Sequence, residues 1–356
     1  LLVAAFVVRW DSSAVLVDGE IHLHDADTLR RLDRLHTLDE ATAYPVTEEK
    51  DGHPGGTVHH WTRPMDWVIR TIEPLAASVF DADRRYEAAA LVTGPLLAVL
   101  GLLALILGAA RLVSAPFALL VGLVYAFNFA SVDLTKIANA DHQSLQQLLL
   151  LSSMVCGLLA LEAKSLLWAL GAGSALGAAV WVTPESMLFV SQRASLGERT
   201  RDARFDGLRI AWAASLTVFV ALGIAFEQSD FTAFEYDKVS LFQLWQLAVV
   251  LLFVVARRFL PWPGVLGIGV AGVGALALGL LPFVIGDVRA SFDAEVVRMQ
   301  SVDPWLRAEV VEFWGLFRKG RLDELLAMES WLVLALPLLL GGLCFCTAIS
   351  RASRTL

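Results

Sequence analysis

Eight apolar stretches, at roughly 88–110, 115–131, 144–161, 165–182, 210–226, 241–256, 264–286 and 330–350, are long enough to cross about 30 Å of hydrocarbon. The opening run Leu1-Leu2-Val3-Ala4-Ala5-Phe6-Val7-Val8 has no methionine and no small-residue cleavage site after it, so it reads as the end of a first membrane helix. The expectation is an all-α, polytopic membrane protein of about nine transmembrane helices, forming one domain over 1–356. With 56% apolar and 18% charged residues, the chain is not an ordinary soluble protein of two or three domains. A formal charge of −8 excludes nucleic acid as a partner, since phosphate binding wants a concentrated basic surface.

Basic residues flanking short loops mark the cytoplasmic side. Arg111, Lys164, the cluster Arg193, Arg199, Arg201, Arg204 and Arg209, the pair Arg257-Arg258, and Arg351 with Arg354 define one face. The opposite face then carries 10–86, 132–142, 227–240 and 287–328. Lys164 and the arginine cluster share a face across about 28 residues, too few for two helical crossings. A re-entrant hairpin turning at Thr183-Pro184 is the preferred solution, the alternative being an arginine cluster on the other side.

The first outer loop, 10–86, is the largest polar segment, with 15 acidic and 8 basic side chains and six of the seven histidines; the seventh, His142, falls on the same face. Histidines gathered on one side suit a metal, phosphate or proton-handling site, although extramembrane segments collect polar residues in any case. The late outer loop, 287–328, carries Trp305, Leu306, Phe313, Trp314 and Leu316 among charges and reads as one or two interfacial amphipathic helices. Cys156, Cys344 and Cys346 lie in apolar runs and read as small core hydrophobes.

Four constellations carry chemistry. In His22-Leu23-His24-Asp25-Ala26-Asp27, Asp25 stands at a helix start whose apolar positions are Leu29, Leu32 and Leu35. It serves either as a cap or as a general base or metal ligand, with Arg30 or Arg31 to meet a phosphate. In His59-His60-Trp61-Thr62-Arg63-Pro64-Met65-Asp66-Trp67 the tryptophans suit the headgroup layer, while His60, Arg63 and Asp66 suit an anionic headgroup. Asp141-His142-Gln143 offers oxygen and imidazole ligands for a divalent cation, or an N-cap box, or both. Glu185, after Thr183-Pro184, interrupts an apolar stretch, as a cavity-facing carboxylate or a first-turn residue would.

An acidic site after the first membrane helix, an Asp-His motif in the second outer loop and a late loop with a Glu together resemble the GT-C membrane glycosyltransferases, in particular the catalytic subunit type of oligosaccharyltransferase. Asp25 and Arg31 match that family's first-loop Asp with an Arg six residues later, and Asp141-His142-Gln143 looks like its second-loop motif. The stretch from Pro54-Gly55 to Asp66, with Asp141-His142-Gln143 and Trp181 to Glu185, is similar to a bacterial branch of GT-C proteins. The resemblance is close over about 10–190 and holds by layout beyond.

It implies transfer of a sugar or glycan from a polyprenyl-phosphate or polyprenyl-diphosphate donor, on the extracytoplasmic side of a bacterial inner membrane. Catalytic carboxylates would be Asp25, Asp27 and Glu312 or Glu309. Donor phosphates would meet Arg31, His60 and Arg63, and a divalent metal, Mg or Mn, would be held by Asp25, Asp141 and His142. Glu185, Asp66 and Gln143 complete the set. Gln143 stands where the family has a second charged or imidazole ligand, and no Trp-Trp-Asp-Tyr-Gly motif is present, so glycosylation of protein asparagine is not implied. Partners would be the lipid-linked sugar, membrane lipids and other membrane proteins. The rival readings are a transporter or flippase using Glu185 and Asp141, and a non-catalytic subunit whose histidine-rich loop is a docking surface.

Overall fold

The computed structural model describes residues 1–9, 16–17, 20–21, 23, 25–40, 47–48, 57–58, 62–78, 84–187, 189–190, 203–228, 238–259, 278 and 281. The chain divides into two compact units, Leu1–Leu278 and Gly279–Leu356. In the first unit, helix α1 (Leu2–Val8) leads into the first loop, which holds α2 (Ala26–Glu40) and α3 (Pro64–Ala76). The loop also holds two antiparallel hairpins of two-residue strands, β1 (Leu16–Val17) with β2 (Glu20–Ile21) and β3 (Thr47–Glu48) with β4 (Thr57–Val58). There follow α4 (Arg85–Leu112), α5 (Ala115–Phe127), α6 (Phe129–Leu134), α7 (His142–Ala163), α8 (Leu166–Val182), a 3-10 turn (Pro184–Met187), α9 (Ala203–Glu227) and α10 (Leu241–Phe259).

Three helices are long and apolar enough to cross a membrane: α4, α7 and the Asp206–Glu227 part of α9. Ala115–Phe127, Leu166–Val182 and Leu241–Leu252 are apolar but shorter. Among the described residues there are thus three full-length spans against the nine expected. Local chemistry explains part of the difference. Asn128 ends α5 after 13 residues by capping α6, its side-chain oxygen accepting the Ser131 N–H at 3.0 Å. The expected segment 264–286 is described only at 278 and 281, and 287–328 and 330–350 lie outside the described residues.

Two packings decide which ends meet. Helices α7 and α8 are antiparallel about Lys164, which adopts a left-handed conformation at φ 47°, and the Ser153 hydroxyl donates to the Ala172 carbonyl at 2.8 Å. Helices α8 and α9 are parallel: Gly173 meets Trp212 and Ser215, Gly177 meets Leu216 and Phe219, and Gly223 meets Trp181. A Cβ on Gly173 would lie 2.1 Å from the Trp212 carbonyl, so only glycine permits this approach. Val182 and Glu227 therefore end beside the starts of α4 and α7, while Arg111, Lys164 and Arg209 lie at the other end.

The expected turn at Thr183-Pro184 is present, and most of the return limb of the expected hairpin, 188 and 191–202, lies outside the described residues. Helix α8 runs unbroken for 17 residues, roughly 25 Å, and stops where Pro184 holds Thr183 extended at φ −146°, ψ 122°.

The first loop docks on the Val182 end. Leu32 and Leu35 of α2 join Met65, Ile69 and Ile72 of α3, Ala88 to Ala90 and Leu97 of α4, Ala140, Leu145 and Val182 in one core. Each large side chain so buried contributes about 1.5–3 kcal/mol. The expected stripe of Leu29, Leu32 and Leu35 is only partly the buried one. Leu29 is 49% exposed, and the helix is turned so that Thr28, Arg31 and Arg34 face inward.

The segment between α6 and α7 is held from behind. Arg9, fully buried, donates to Ala5 O (2.7 Å) and Ala126 O (3.1 Å), carbonyls at the C-terminal ends of α1 and α5, where the helix dipoles favour a cation. It also donates to Thr135 Oγ1 (2.5 Å) and Ser131 Oγ (3.1 Å), and its own carbonyl accepts the Ile137 N–H at 2.9 Å. One residue on, Ala138 has φ 63° and donates its N–H to Leu91 O at 3.2 Å. The segment lies flat on α4 at Gly94, where a Cβ would stand 2.7 Å from Asn139 O and 2.8 Å from Lys136 O.

Candidate functional site

Two helix N-termini meet at the loop-covered end of the bundle, each with an aspartate at its start. Asp25 Oδ2 accepts the Thr28 N–H at 2.7 Å and the Thr28 hydroxyl at 2.6 Å, which fixes the first turn of α2. Asp141 caps α7, accepting the His142 N–H at 2.6 Å, and its own N–H is held by the Asn139 side chain at 3.1 Å. Thr28 Oγ1 also accepts the Ala140 N–H at 3.0 Å, tying the two starts together. Positive helix ends stabilise carboxylates there.

Asp27, Asp141 and His142 converge, one ligand atom from each lying within 4.8 Å of the others. Among the described residues this is the group able to hold a metal ion. It contains Asp27 where the sequence points to Asp25, because Asp25 turns its carboxylate to the α2 cap. The buried His142 Nδ1 lies against the Asp141 carboxylate as a close pair. An imidazole and two carboxylates whose ligand atoms converge in this way fit a divalent cation.

The two carboxyls are tuned apart. Burial, then the neighbouring charges of Asp141 and Asp25, push Asp27 up to about 6 against the opposing pull of His142 and Arg31. Burial also opposes ionisation of Asp141, but His142, by hydrogen bond and charge, and Arg31 hold it below the ordinary carboxylate range. One carboxylate stays ionised while the other titrates near neutrality.

Behind this group lies a buried ion cluster. Asp66, fully buried, accepts from Arg31 at 3.0 Å and from Arg34, whose Nη2 lies 2.7 Å from Oδ1 and 2.6 Å from Oδ2. Arg31 also reaches Thr62 O at 3.3 Å, and Thr62 donates its hydroxyl to Val182 O at 3.0 Å. Arg31, expected at a donor phosphate, is 1% exposed. It works from there as a fixed positive charge behind Asp27 and Asp141.

Arg63 stands at the edge of this region. Its backbone N–H donates to Glu227 Oε1 at 2.8 Å, its Nε lies 3.5 Å from Oε2, and the Trp181 indole donates to Oε1 at 2.8 Å. Trp181 packs edge-on to Trp67 (5.2 Å) and stacked with Phe226 (5.7 Å, 11° between planes). The Arg63 side chain is 28% exposed and that of Glu227 only 8%. Glu227 thus holds Arg63 from its buried side.

Glu185 is exposed in the 3-10 turn, and Gln143 is half-buried one residue past His142; neither belongs to the three-ligand group. His60, Glu312 and Glu309 lie outside the described residues. Thr28, Arg34 and Glu227 belong to the site's framework and escape a reading by motif. The trace they leave in the sequence is a polar residue on a helix face or at the end of an apolar run.

No family model matches the sequence, and no curated protein matches it. Solved structures do. The archaeal oligosaccharyltransferase AglB from Archaeoglobus fulgidus, solved in complex with an inhibitory peptide and a dolichol-phosphate, superposes with a TM-score of 0.63 at 17% identity over 85% of this chain. The apo oligosaccharyltransferase of that organism gives 0.62 at 15% identity over 85%. Its complex with Zn and sulfate gives 0.59 at 17% identity over 98%. The chain spans 39% of the length of the first two and 46% of the third. The likeness is one of fold.

Proposed function

We propose that this chain is the membrane part of a glycosyltransferase that moves a sugar or glycan from a polyprenyl-phosphate or polyprenyl-diphosphate donor to an acceptor, at the extracytoplasmic face of a bacterial inner membrane. The observation that carries the reading is the convergence of Asp27, Asp141 and His142 at one end of a bundle folded like an oligosaccharyltransferase. Such a donor leaves as a phosphate, and its lipid tail brings that phosphate to the membrane surface, where the ends of long apolar helices lie.

Asp27, Asp141 and His142 would hold the metal, and two carboxylates with one imidazole suit Mn2+ better than Mg2+, which prefers an all-oxygen shell. A divalent cation bound there supplies charge neutralisation for a phosphate leaving group. Arg31 keeps Asp141 ionised from behind. Arg63 offers its guanidinium to the donor phosphate, with His60 beside it in sequence, and Glu227 fixes its direction. The acceptor hydroxyl loses its proton to a carboxylate, for which Asp25 and the late-loop Glu312 or Glu309 are the candidates. Asp66 pairs the buried arginines, and Glu185 and Gln143 border the site. A transporter wants its charged groups near the middle of the spans; the position of this group at helix starts favours an enzyme.

The test is transfer from a synthetic polyprenyl-diphosphate sugar by the purified chain with Mn2+ in a lipid nanodisc. Wild-type transfer that Asp27→Asn abolishes supports the reading. Transfer unaffected by Asp27→Asn and Asp141→Asn together, or by removal of all divalent metal, would sink it.

A further inference from the structure

We infer that Arg9 and Gly94 are positioning residues for Asp141: together they clamp the 135–140 segment so that its last residue presents the α7 cap carboxylate to Asp27. This inference rests on the metal reading of the Asp27, Asp141 and His142 group.

The segment from Thr135 to Ala140 contains no regular helix or strand, and its internal bonds, Asn139 N–H to Lys136 O at 3.3 Å and Asp141 N–H to Asn139 Oδ1 at 3.1 Å, are local to its last turn. Four hydrogen bonds from Arg9, Leu91 and Thr28 hold it to the rest of the bundle. Arg9 donates to Thr135 Oγ1, and its carbonyl receives the Ile137 N–H. Leu91 O receives the N–H of Ala138, whose positive φ turns the chain. Thr28 Oγ1 receives the Ala140 N–H from the front.

Gly94 supplies the floor. The carbonyls of Thr135, Lys136 and Asn139 would lie 3.1, 2.8 and 2.7 Å from a Cβ there, so any side chain lifts the segment off α4. Backbone oxygens cannot rotate away as a side chain would, and the displacement must pass along the segment toward Asp141.

Arg9 is well suited to the task because, among the described residues, its charge is met by helix ends. The negative ends of α1 and α5 hold the guanidinium, and its remaining donors grip Ser131 and Thr135. A residue remote from the three ligands, at the end of the first helix, thus sets the geometry of one of them. Outer-shell contacts of this kind change metal affinity by roughly tenfold to a hundredfold when removed.

The experiment uses the full chain in nanodiscs, with Mn2+ binding followed by electron paramagnetic resonance and backbone hydrogen exchange followed over 135–142. Gly94→Ala and Arg9→Met are compared with Gly177→Ala, which places an equally close Cβ, 2.6 Å from Phe219 Cβ, between α8 and α9. The expected result is a loss of Mn2+ affinity of at least tenfold and faster exchange over 135–142 in the first two variants. Gly177→Ala should keep wild-type affinity even where its melting temperature falls. Wild-type affinity in both Gly94→Ala and Arg9→Met would overturn the inference alone, as would an equal loss in Gly177→Ala, which would mark the effect as general destabilisation. A wild-type protein that binds no Mn2+ would overturn the metal reading, and the inference with it.

Discussion

The hydroxyl of Thr28 accepts the backbone N–H of Ala140 at 3.0 Å, across 112 positions of sequence. The same hydroxyl donates to Asp25. One buried side chain therefore joins the cap of α2 to the residue before the cap of α7, and fixes how far Asp27 stands from Asp141.

Thr28→Val keeps the shape and removes both bonds. The buried Ala140 N–H is then left without an acceptor, at a cost of about 1–3 kcal/mol. The expected outcome is a lower melting temperature and weaker Mn2+ binding, with Thr28→Ser restoring both. Calorimetry and metal titration on the three proteins check it; a Val variant that binds Mn2+ as the wild type does would contradict it.

Much of this arrangement is legible in the sequence, and the unreadable part has a physical reason. Spans 88–110, 144–161, 165–182 and 210–226 announce α4, α7, α8 and α9 because lipid-embedded segments must be both apolar and helical. Asp141 is readable both as a cap and as a metal ligand, and these uses coexist, since a carboxylate has more than one lone pair. The face of α2 is not readable. Its leucines suggest an inward Leu29, but the buried face carries Arg31 and Arg34, which Asp66, more than thirty residues on, pairs with. Glu227 hides for a related reason: an acid closing an apolar run looks like a solvated end until Arg63 and Trp181 meet it.

Asp66→Ala leaves Arg31 and Arg34 buried without their shared counter-ion. Removing one member of a buried ion cluster costs about 3–5 kcal/mol, so the first loop is expected to detach from the bundle at a lower temperature than the helices unfold. Trypsin cleavage within 10–86, against retention of helical circular dichroism, measures this. Equal protease resistance in variant and wild type would count against the cluster as the anchor of the loop.

Glu227→Gln keeps acceptors for the Trp181 and Arg63 N–H groups but removes the charge that aims the Arg63 guanidinium. Losing about 1.4 kcal/mol of charge-assisted hydrogen bonding corresponds to a tenfold change. Under the proposed function, KM for the lipid-linked donor is expected to rise by about that factor while Mn2+ affinity is unchanged. Steady-state kinetics with a titrated donor tests it, and an unaltered KM would remove Arg63 from the donor site.

Asp27 supplies the pH dependence, and its sign follows from its raised pKa. Its folded value of about 6 exceeds the ordinary carboxylate range, so the metal-free protein holds a proton there that the unfolded chain has lost. The contribution of this group to stability is full at low pH and falls as pH rises through about 6. Metal binding runs the opposite way, because a carboxylate ligand must be deprotonated. Mn2+ affinity is therefore expected to climb between about pH 5 and 7 and then level off, and Mn2+ should offset the stability lost over that window. Asp27→Asn should flatten the thermal-shift profile of the metal-free protein across this range. A persistent slope in that variant would assign the titration to another group.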